Sequence, residues 1–510
     1  MSAISANNSI KLSVLLSGRV TLSEQDDCAI SALTLDSRSV VEGTLFLACA
    51  GTVRHGMEFF EQAMKNGAAA IVCEPDEQWP GSRIAALAGS ISVPLLVMEG
   101  LSGQVSAIAG RFYHHPSRSM SVTGITGTNG KTSCAQFLAR ALSVEATCGV
   151  IGTLGNGFPG ALDSATHTTP DPVALQALLS DFRVKGASAV AMEVSSHALD
   201  QGRAADIRFD AAVFTNLSRD HLDYHGTLEE YGAAKRELFL MPDLGCAVIN
   251  LDDAFGRKLF SEMPVEPVLI GYGLDAGNAQ KQGLDHWVWA KKMISSANGM
   301  CIAIDSSWGS GELVTPLLGR FNASNLLAAL AVLLYRNIPL NEALLRLSRL
   351  QTVPGRMERF GGEGQPLVVV DYAHTPDALE HALAALREHA EGCLICLVGC
   401  GGDRDRGKRP QMGAIAERIA DQVIVTDDNP RTEDGDGIVQ EILGGMARPE
   451  KVRVIRDRSE AIHTAVAEAA KEDLILVAGK GHETVQIVGE LKMPFSDCEQ
   501  VADALSGVSR

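Results

Sequence analysis

The sequence predicts a three-domain α/β protein built on parallel β-sheets, and three observations support this. The chain has 510 residues, which at roughly 150 residues per domain indicates about three domains. Short apolar runs followed by polar or Gly-rich residues alternate with helix-period segments, as in βαβ units. A Gly-rich loop lies between an apolar run and a helical run. We expect domains at residues 1–98, 99–353 and 354–510.

The individual elements follow from apolar runs and helical periodicity. The first domain is expected to contain a helix at 56–67 and a strand at 68–73. In the second we expect strands at 120–125, 187–194, 211–215 and 246–250, and helices at 133–142, 325–335 and 342–350. Residues 353–356 (Val-Pro-Gly-Arg) are predicted to form a linker. The third domain is expected to have strands at 367–371, 394–399, 422–426 and 474–478, and helices at 375–389 and 408–419.

Composition excludes several classes of protein. With 62 acidic and 44 basic residues the net charge is −18, which disfavours non-specific binding to nucleic acid or to anionic lipid. No run of about 18 apolar residues predicts a membrane span, and Met1–Leu12 lacks the pattern of a secretion signal. The 11 cysteines are scattered and odd in number, which argues against a disulfide framework and favours the reducing cytoplasm.

The most specific motif is a phosphate-binding loop. It runs from Gly124 to Thr132 and joins an apolar strand to a helix, the context that a P-loop requires. Backbone N–H groups at the helix start would cradle phosphates, Lys131 would bridge the β- and γ-phosphates, and the Thr132 hydroxyl would hold Mg²⁺. The alternative is a Gly-rich turn that caps an ordinary helix. Ile125 occupies the position where the usual motif has its first glycine.

The Thr-Gly-Thr-Asn-Gly-Lys-Thr form of this loop resembles the Mur ligase family, the ATP-dependent amino-acid-adding enzymes of peptidoglycan synthesis. The resemblance implies that ATP and two Mg²⁺ ions are bound. It also implies ATP contacts from Asn325 (alternatively Asn322), with Arg356 on the phosphates and Asp371 on the ribose. From the residues alone, the two asparagines could cap the following helix. The loop residues expected to bind ATP are Thr126, Gly127, Thr128, Asn129, Gly130, Lys131 and Thr132.

Two strand ends supply further candidate metal ligands. Glu193 and the polar segment 216–225 follow neighbouring strands, at the sheet edge where ligands bind in open α/β folds. A solvated loop carboxylate is the alternative for Glu193. The resemblance implies that Glu193 and His221 bind Mg²⁺, and we choose His221 over His197 and His225.

Lys235 is predicted from the sequence alone to be an ordinary helix lysine. The matching family lysine is carbamylated by CO₂, and its new carboxylate helps to hold the second Mg²⁺. The resemblance therefore places Lys131, Glu193, His221 and Lys235 in the catalytic group, with Thr132, Glu193, His221 and carbamylated Lys235 as the metal ligands.

Three polar segments of the third domain, 402–409, 427–431 and 479–483, follow three strands and are expected to meet in one crevice. Guanidinium groups (Arg404, Arg431) beside carboxylates (Asp428, Glu483) suit a ligand that carries both ammonium and carboxylate groups. Arg406 and Arg409 are interpreted as a solvated charge cluster.

The Asp428-Asn429-Pro430-Arg431 segment resembles the motif of MurE-type ligases, which add meso-diaminopimelate. Lysine-adding relatives lack the arginine. Arg431 would pair with the carboxylate that lysine does not have, and it would be left unpaired if lysine bound. Arg404, Asn429, Gly479 and Glu483 match further family contacts to the amino acid.

The first domain resembles the uridine-binding part of the family. The residues expected to contact the UDP substrate are Leu35, Ser37, Thr52, Val53, Arg54, His167, Thr168, Thr169, Ser195, Gln201 and Arg203. Cys393, Cys396 and Cys400 have spacing that hints at a metal site, but they lie on an apolar, strand-like stretch and are interpreted as buried thiols.

The sequence thus leads to a UDP-binding domain, a central ATPase domain and a Rossmann-like third domain. The expected enzyme adds meso-diaminopimelate to UDP-N-acetylmuramoyl-L-alanyl-D-glutamate through an acyl phosphate. We expect a cytoplasmic monomer with small-molecule substrates, no nucleic-acid partner and no membrane insertion. The alternatives are a lysine-adding or folate-glutamate ligase and a P-loop regulator without ligase activity. No Asn-Lys-x-Asp segment supports a guanine-nucleotide switch.

Overall fold

The structure is a computed structural model. It describes residues 9–20, 22–51, 54–144, 147–275, 284–296, 298–362 and 364–508. The chain divides into two compact units, one of residues 1–271 and 283–285 and the other of residues 272–282 and 286–510. The expected domain boundaries after residues 98 and 353 remain predictions.

The first unit contains a two-stranded antiparallel sheet, β1-β2, and two larger sheets. Strands β3 to β6 pair in sequence order and are all parallel. The strands are β1 (Ile10–Lys11), β2 (Ala29–Ile30), β3 (Ala32–Thr34), β4 (Thr44–Ala48), β5 (Ala68–Cys73), β6 (Leu95–Val97), β7 (Ser121–Thr126), β8 (Cys148–Gly152), β9 (Gly155–Phe158), β10 (Ala161–Asp163), β11 (Ala189–Glu193), β12 (Ala211–Phe214), β13 (Cys246–Asn250) and β14 (Val268–Gly273), in which the division between units falls.

Within the second of these larger sheets the order is β10-β9-β8-β11-β7-β12-β13. Strands β8, β11, β7, β12 and β13 are parallel, and every residue of β11 and β13 is buried. Burial on both faces explains why these strands are continuous apolar runs. The carboxyl ends of β7, β11 and β12 lie at one edge, which brings together the segments after Thr126, Glu193 and Phe214.

Helices surround these sheets. The α-helices are α1 (Leu12–Leu15), α2 (Phe60–Lys65), α3 (Gly81–Ala88), α4 (Leu101–Phe112), α5 (Lys131–Leu142), α6 (Pro172–Val184), α7 (Ser196–Asp200), α8 (Leu222–His225), α9 (Leu228–Arg236) and α10 (Ala254–Ser261). The 3₁₀ segments are Ser37–Ser39, Gly56–Phe59, Pro116–Ser119 and Glu237–Leu240.

The second unit begins with three antiparallel strands, β15-β16-β17, and continues with a six-stranded sheet of order β18-β19-β23-β20-β21-β22. A hairpin, β24-β25, follows. The strands are β15 (His286–Ser296), β16 (Gly299–Ser306), β17 (Gly309–Thr315), β18 (Glu358–Gly361), β19 (Leu367–Asp371), β20 (Leu394–Val398), β21 (Gln422–Val425), β22 (Arg453–Val454), β23 (Leu474–Ala478), β24 (Val485–Val488) and β25 (Leu491–Pro494).

Two hydrophobic cores lie on opposite faces of the six-stranded sheet. Val369 belongs to one core, while its neighbours Val368 and Val370 belong to the other, as the two-residue period of a strand requires. Helices therefore cover both faces, as in a doubly wound fold. The helices of this unit are α11 (Arg320–Tyr335), α12 (Leu340–Ser348), α13 (Pro376–Arg387), α14 (Lys408–Ile419), α15 (Gly435–Leu443), α16 (Arg458–Glu468), α17 (Asp497–Val508) and the 3₁₀ segment Pro449–Lys451.

Several predicted elements are confirmed and others are wrong. The predicted strands at 68–73, 246–250, 367–371 and 474–478 and the helix at 408–419 have the predicted bounds. The helix predicted at 56–67 is a 3₁₀ segment followed by α2. The capping role considered for Asn322 and Asn325 is wrong, because α11 starts at Arg320 and both asparagines are buried inside it. Asn322 Nδ2 donates to the carbonyl of Leu318 at 2.9 Å.

The cysteines behave as expected. All 11 are free. Cys396 and Cys400 are buried, which confirms the interpretation of these two as buried thiols, whereas Cys393 is only partly buried. Within the described ranges, no helix has both the length and the apolar character needed to cross a membrane.

Candidate active site

Hydrogen bonds hold the backbone of the phosphate-binding loop to the side chain of its own lysine and to the segment after β12. Gly127 has φ +147°, and a Cβ there would collide with Thr215 Oγ1, so only glycine fits. Thr128 N–H donates to the Asn216 carbonyl at 2.8 Å. Lys131 Nζ donates to the carbonyls of Gly127 and Thr128, each at 2.8 Å. The loop therefore has the form of an anion-binding site at the start of α5.

Glu193 is buried against the loop rather than solvated, so the alternative of a free loop carboxylate is wrong. The residue is 2 % exposed, and its Oε2 accepts from Thr132 Oγ1 at 2.9 Å and from Thr153 Oγ1 at 3.2 Å. Its Oε1 accepts from the Thr153 N–H at 2.8 Å. A hydroxyl and a carboxylate thus lie side by side at the amino end of α5.

His221 is the N-cap residue that precedes helix α8, and its φ of +51° is uncommon for a residue other than glycine. Its ring centroid lies 4.9 Å from that of His197, and its Nε2 lies 3.4 Å from Asp220 Oδ2. His225 is buried, and its Nε2 is 2.9 Å from Ser196 Oγ. Burial, followed by the neighbouring imidazoles His221 and His225, lowers the pKa of His197. Of the three histidines, His221 has the half-exposed side chain, at 49 %.

Lys235 is one of the most deeply buried polar residues of the first unit, at 1 % exposure. Its Nζ donates to the Gly127 carbonyl at 2.8 Å and lies 4.1 Å from the centroid of the Tyr231 ring. Burial, followed by the nearby positive charge of Lys131, lowers its pKa well below the usual value. The interpretation of Lys235 as an ordinary helix lysine does not account for these contacts.

Most of the substrate residues predicted in the middle of the chain form one network. Arg203 donates to the Thr169 carbonyl at 2.8 Å and to Gln201 Oε1 at 2.6 Å. Ser195 N–H donates to Thr169 Oγ1 at 3.1 Å. Thr168 Oγ1 is 3.0 Å from Thr153 Oγ1, which joins the network to Glu193. His167 is exposed, and its Nδ1 is 3.1 Å from Thr166 Oγ1.

The predicted uridine-binding residues are less closely connected. Ser37 is buried and donates to Gln62 Oε1 at 2.8 Å. Leu35 packs at the edge of a hydrophobic core. The exposed Arg54 guanidinium lies 5.8 Å from the Phe59 ring centroid. Thr52 and Val53 lie outside the described residues.

In the second unit the predicted nucleotide residues Arg356 and Asp371 lie close together. Asp371 Oδ2 accepts from the N–H of Met357, next to Arg356, at 2.8 Å. The Arg356 guanidinium carbon lies 4.6 Å from the centroid of the Tyr372 ring. Burial raises the pKa of Asp371. Asn325 lies in the second turn of α11.

Hydrogen bonds connect the three polar segments that were predicted to form the amino-acid site. Asn429 Nδ2 donates to Glu483 Oε2 at 2.8 Å. Arg431 has φ +52°, and its Nη1 donates to the Gly402 carbonyl at 2.7 Å. Burial, against the opposing effects of Arg458 and Lys480, raises the pKa of Asp428.

Gly479, Pro430 and Arg404 complete the predicted set. Gly479 has φ +116°, and a Cβ there would lie 2.7 Å from Asp428 Oδ2, so the position requires glycine. Pro430 is buried, whereas Arg404 is exposed and makes no hydrogen bond within the described ranges.

The interpretation of Arg409 as a solvated charge is wrong. Its side chain is fully buried and donates to Glu433 Oε2 at 2.9 Å and to Glu441 Oε2 at 2.7 Å. A buried guanidinium is tolerated because both carboxylates pair with it. Arg406 is exposed and pairs with Glu441, as expected for a surface charge.

Sequence reasoning missed residues that hold these segments. Thr153 carries two hydrogen bonds to Glu193 but lies in no recognisable motif. Lys480 contacts both Asn429 and Glu483. In the sequence, Lys480 was indicated by its position between two glycines in the polar segment 479–483.

Three family descriptions match the chain. They are "Mur ligase family, catalytic domain" at residues 29–99, "Mur ligase middle domain" at 125–333 and "Mur ligase, glutamate ligase domain" at 355–481. The three matches confirm the predicted three-domain α/β organisation.

Relatives match over nearly the full length. A protein of Pseudomonas aeruginosa named UDP-N-acetylmuramoyl-L-alanyl-D-glutamate--2,6-diaminopimelate ligase is 52% identical, covering 94% of this chain and 96% of its own. A Coxiella burnetii protein of the same name is 49% identical with the same coverage.

Solved structures agree. The solved structure of a protein with that same name matches with a TM-score of 0.72 and 33% identity, and the match covers 99% of this chain and 100% of the solved chain. A Mycobacterium tuberculosis folylpolyglutamate synthase, at 19% identity and a TM-score of 0.59, shares the fold. By these matches of sequence, domain order and fold, the chain belongs to the Mur ligase family.

Proposed function

We propose that this protein is an ATP-dependent ligase that joins meso-diaminopimelate to the glutamate side chain of UDP-N-acetylmuramoyl-L-alanyl-D-glutamate. The observation that carries the proposal is the Asp428–Arg431 segment, in which Asn429 donates a hydrogen bond to Glu483 and Arg431 donates one to Gly402. Relatives about 50% identical over 94% of the chain bear the name of this activity.

The reaction has two steps. A glutamate carboxylate oxygen attacks the γ-phosphorus of ATP, which releases ADP and forms an acyl phosphate. The diaminopimelate amine then attacks the acyl carbon, loses a proton and expels phosphate as the amide bond forms. Carboxylate and triphosphate repel each other, and the Lys131 ammonium group would offset that repulsion.

The residues present fit magnesium. Thr132 Oγ1 and Glu193 Oε2, 2.9 Å apart, would hold one ion beside the triphosphate. His221 and a carbamylated Lys235 would hold a second. Across the described ranges, no group of three or more His, Cys, Asp or Glu residues is arranged to hold a metal. This fits an ion that is bound through few protein ligands and the substrate phosphates. Bound Mg²⁺ would neutralise developing phosphate charge.

Lys235 is suited to react with CO₂. Only the neutral amine attacks CO₂, and burial favours that form by lowering the lysine pKa. The amine nitrogen forms an N–C bond with CO₂ and loses one proton, which converts the neutral amine into a carboxylate; from the ammonium form, two protons are released in all. The Gly127 carbonyl, 2.8 Å from Nζ, orients the amine before the reaction.

We further propose that Ser195, Gln201 and Arg203 contact the UDP substrate and that Asn325, Arg356 and Asp371 contact ATP. The Arg203 guanidinium can pair with a phosphate or a carboxylate through two parallel hydrogen bonds. The protein is proposed to act as a cytoplasmic monomer that supplies precursors for the cell wall.

Phosphate release from ATP tests the function. It would be measured with and without the UDP-muramoyl dipeptide, and with meso-diaminopimelate, L-lysine or no amine. Turnover that needs both dipeptide and diaminopimelate supports the proposal. Equal turnover with lysine would support a ligase that does not discriminate between the two amines. Release that is indifferent to acceptor and amine would point to a nucleotide hydrolase instead.

A further inference from the structure

We propose that Lys480 is a positioning residue that orients the amide of Asn429 and the carboxylate of Glu483 for recognition of the incoming amino acid. The inference rests on the proposed function, since it concerns the same crevice. Lys480 itself is not expected to touch the amino acid, because its ammonium group is already enclosed by protein.

The burial of Lys480 is unusual. Its side chain is 0 % exposed, and lysine is almost never fully buried unless it is paired. Nζ donates to Asn429 Oδ1 at 3.0 Å, to Glu483 Oε2 at 3.0 Å and to the Val485 carbonyl at 2.8 Å. An ammonium group has three donors, so all of them are used.

These contacts determine which way the Asn429 amide points. Its Oδ1 accepts from Lys480 Nζ and from the Ile487 N–H, at 2.9 Å. A flipped amide would present N–H groups to two donors, which cannot hydrogen-bond to it. The Asn429 NH₂ group must therefore face Glu483.

Glu483 is oriented by the same ammonium group. Its Oε2 accepts from Lys480 and from Asn429, while Oε1 has no hydrogen bond to any residue that the structure describes. That oxygen is left for a ligand ammonium group. Burial acts to raise the pKa of Glu483, but the Lys480 charge and the hydrogen bonds outweigh it, so the pKa is lowered and the carboxylate stays ionised.

Lys480→Met tests the role in the full-length protein, because methionine keeps the length and apolar stem but removes the charge. We expect KM for diaminopimelate to rise about 100-fold, as for misplacement of a binding group. KM values for ATP and for the UDP-muramoyl dipeptide are expected to stay unchanged. The acid limb of the pH profile of kcat/KM for diaminopimelate should move to higher pH, because Glu483 loses its positive neighbour.

Lys492→Met is the matched control, since Lys492 is an exposed lysine on the neighbouring hairpin strand β25. It should leave all three KM values unchanged. If Lys480→Met does not fold, Lys480→Gln, which keeps a donor and loses the charge, is measured in the same way.

A double-mutant cycle adds a second readout. Lys480→Met and Glu483→Gln should be non-additive in KM for diaminopimelate, because both disrupt one unit. Additive effects, or a rise shared equally by all three KM values, would overturn the proposal and leave Lys480 a folding residue. A wild-type protein that does not use diaminopimelate would refute the proposed function instead.

Discussion

Lys235 and Lys131, 104 residues apart in the chain, both donate to the main-chain oxygen of Gly127, each at 2.8 Å. Two ammonium groups on one carbonyl repel each other, and Lys131 is accordingly one cause of the lowered pKa of Lys235. The phosphate loop thus brings together the lysine expected to bind phosphate and the lysine expected to be carbamylated.

The first prediction concerns the pH dependence of stability in CO₂-free buffer. Because the folded-state pKa of Lys235 lies below its unfolded value of 10.5, the unfolded chain binds more protons between the two values, and stability should rise with pH in that window. Lys235→Met should remove this part of the slope and raise the free energy of unfolding at about pH 7. Urea denaturation at several pH values measures it. Lys258→Met, at an exposed lysine, should keep the wild-type slope, and an unchanged slope in Lys235→Met would contradict the prediction.

The second prediction concerns magnesium. Thr132→Ala removes the hydroxyl that lies 2.9 Å from Glu193 Oε2. We expect the Mg²⁺ concentration for half-maximal phosphate release to rise about 10- to 100-fold, as for other supporting ligands. Thr132→Ser keeps the hydroxyl and should retain the wild-type requirement. A lower rate with an unchanged Mg²⁺ titration would show that Thr132 does not act through the metal.

The third prediction concerns amino-acid specificity. Arg431→Gln should lower kcat/KM for diaminopimelate about 100- to 1000-fold, because losing one partner of a buried charge pair costs 2–5 kcal/mol. Activity with lysine should change far less, since lysine lacks the second carboxylate. Steady-state kinetics with both amines measure the ratio. The exposed Arg406→Gln is the control, and an equal loss for both amines would rule out this role for Arg431.

The fourth prediction concerns the stability of the second unit. Arg458 and Asp497 form an ion pair that is 0 % exposed, with two contacts of 2.7 Å, and Arg458 also donates to the Ala478 carbonyl at the end of β23. Asp497→Ala leaves a buried charge unpaired and should lower the free energy of unfolding by about 3–5 kcal/mol. Asp503→Ala, at an exposed position of the same helix, should change it by less than about 0.5 kcal/mol. Similar losses in both variants would contradict the assignment.

The parallel strands and the phosphate loop were predictable because their signals are local. A strand buried on both faces must be a continuous apolar run, as at Cys246–Asn250, and the loop glycines directly follow such a run. Antiparallel strands β15 to β17 were missed, because their partly exposed faces carry polar and charged residues that interrupt the apolar pattern.

The environment of single side chains was not predictable, because it depends on contacts that are distant in sequence. Arg409 is buried only because Glu433 and Glu441 come from a following loop and helix. Glu193 is desolvated by Thr132 and Thr153, 61 and 40 residues away. Likewise, nothing local to His221 or Arg431 indicates a positive φ.

The main chain of Arg431 is held in place independently of its side chain. Its N–H donates to the Ile487 carbonyl at 3.0 Å, and its own carbonyl accepts from the Gly489 N–H at 2.7 Å, so hairpin β24-β25 holds the main chain whatever the side chain is. The side chain at this position can therefore change without loss of these two main-chain hydrogen bonds. The left-handed φ of +52° limits which residues can replace Arg431. Asparagine, aspartate and glycine adopt this conformation most readily, whereas valine and isoleucine adopt it least readily.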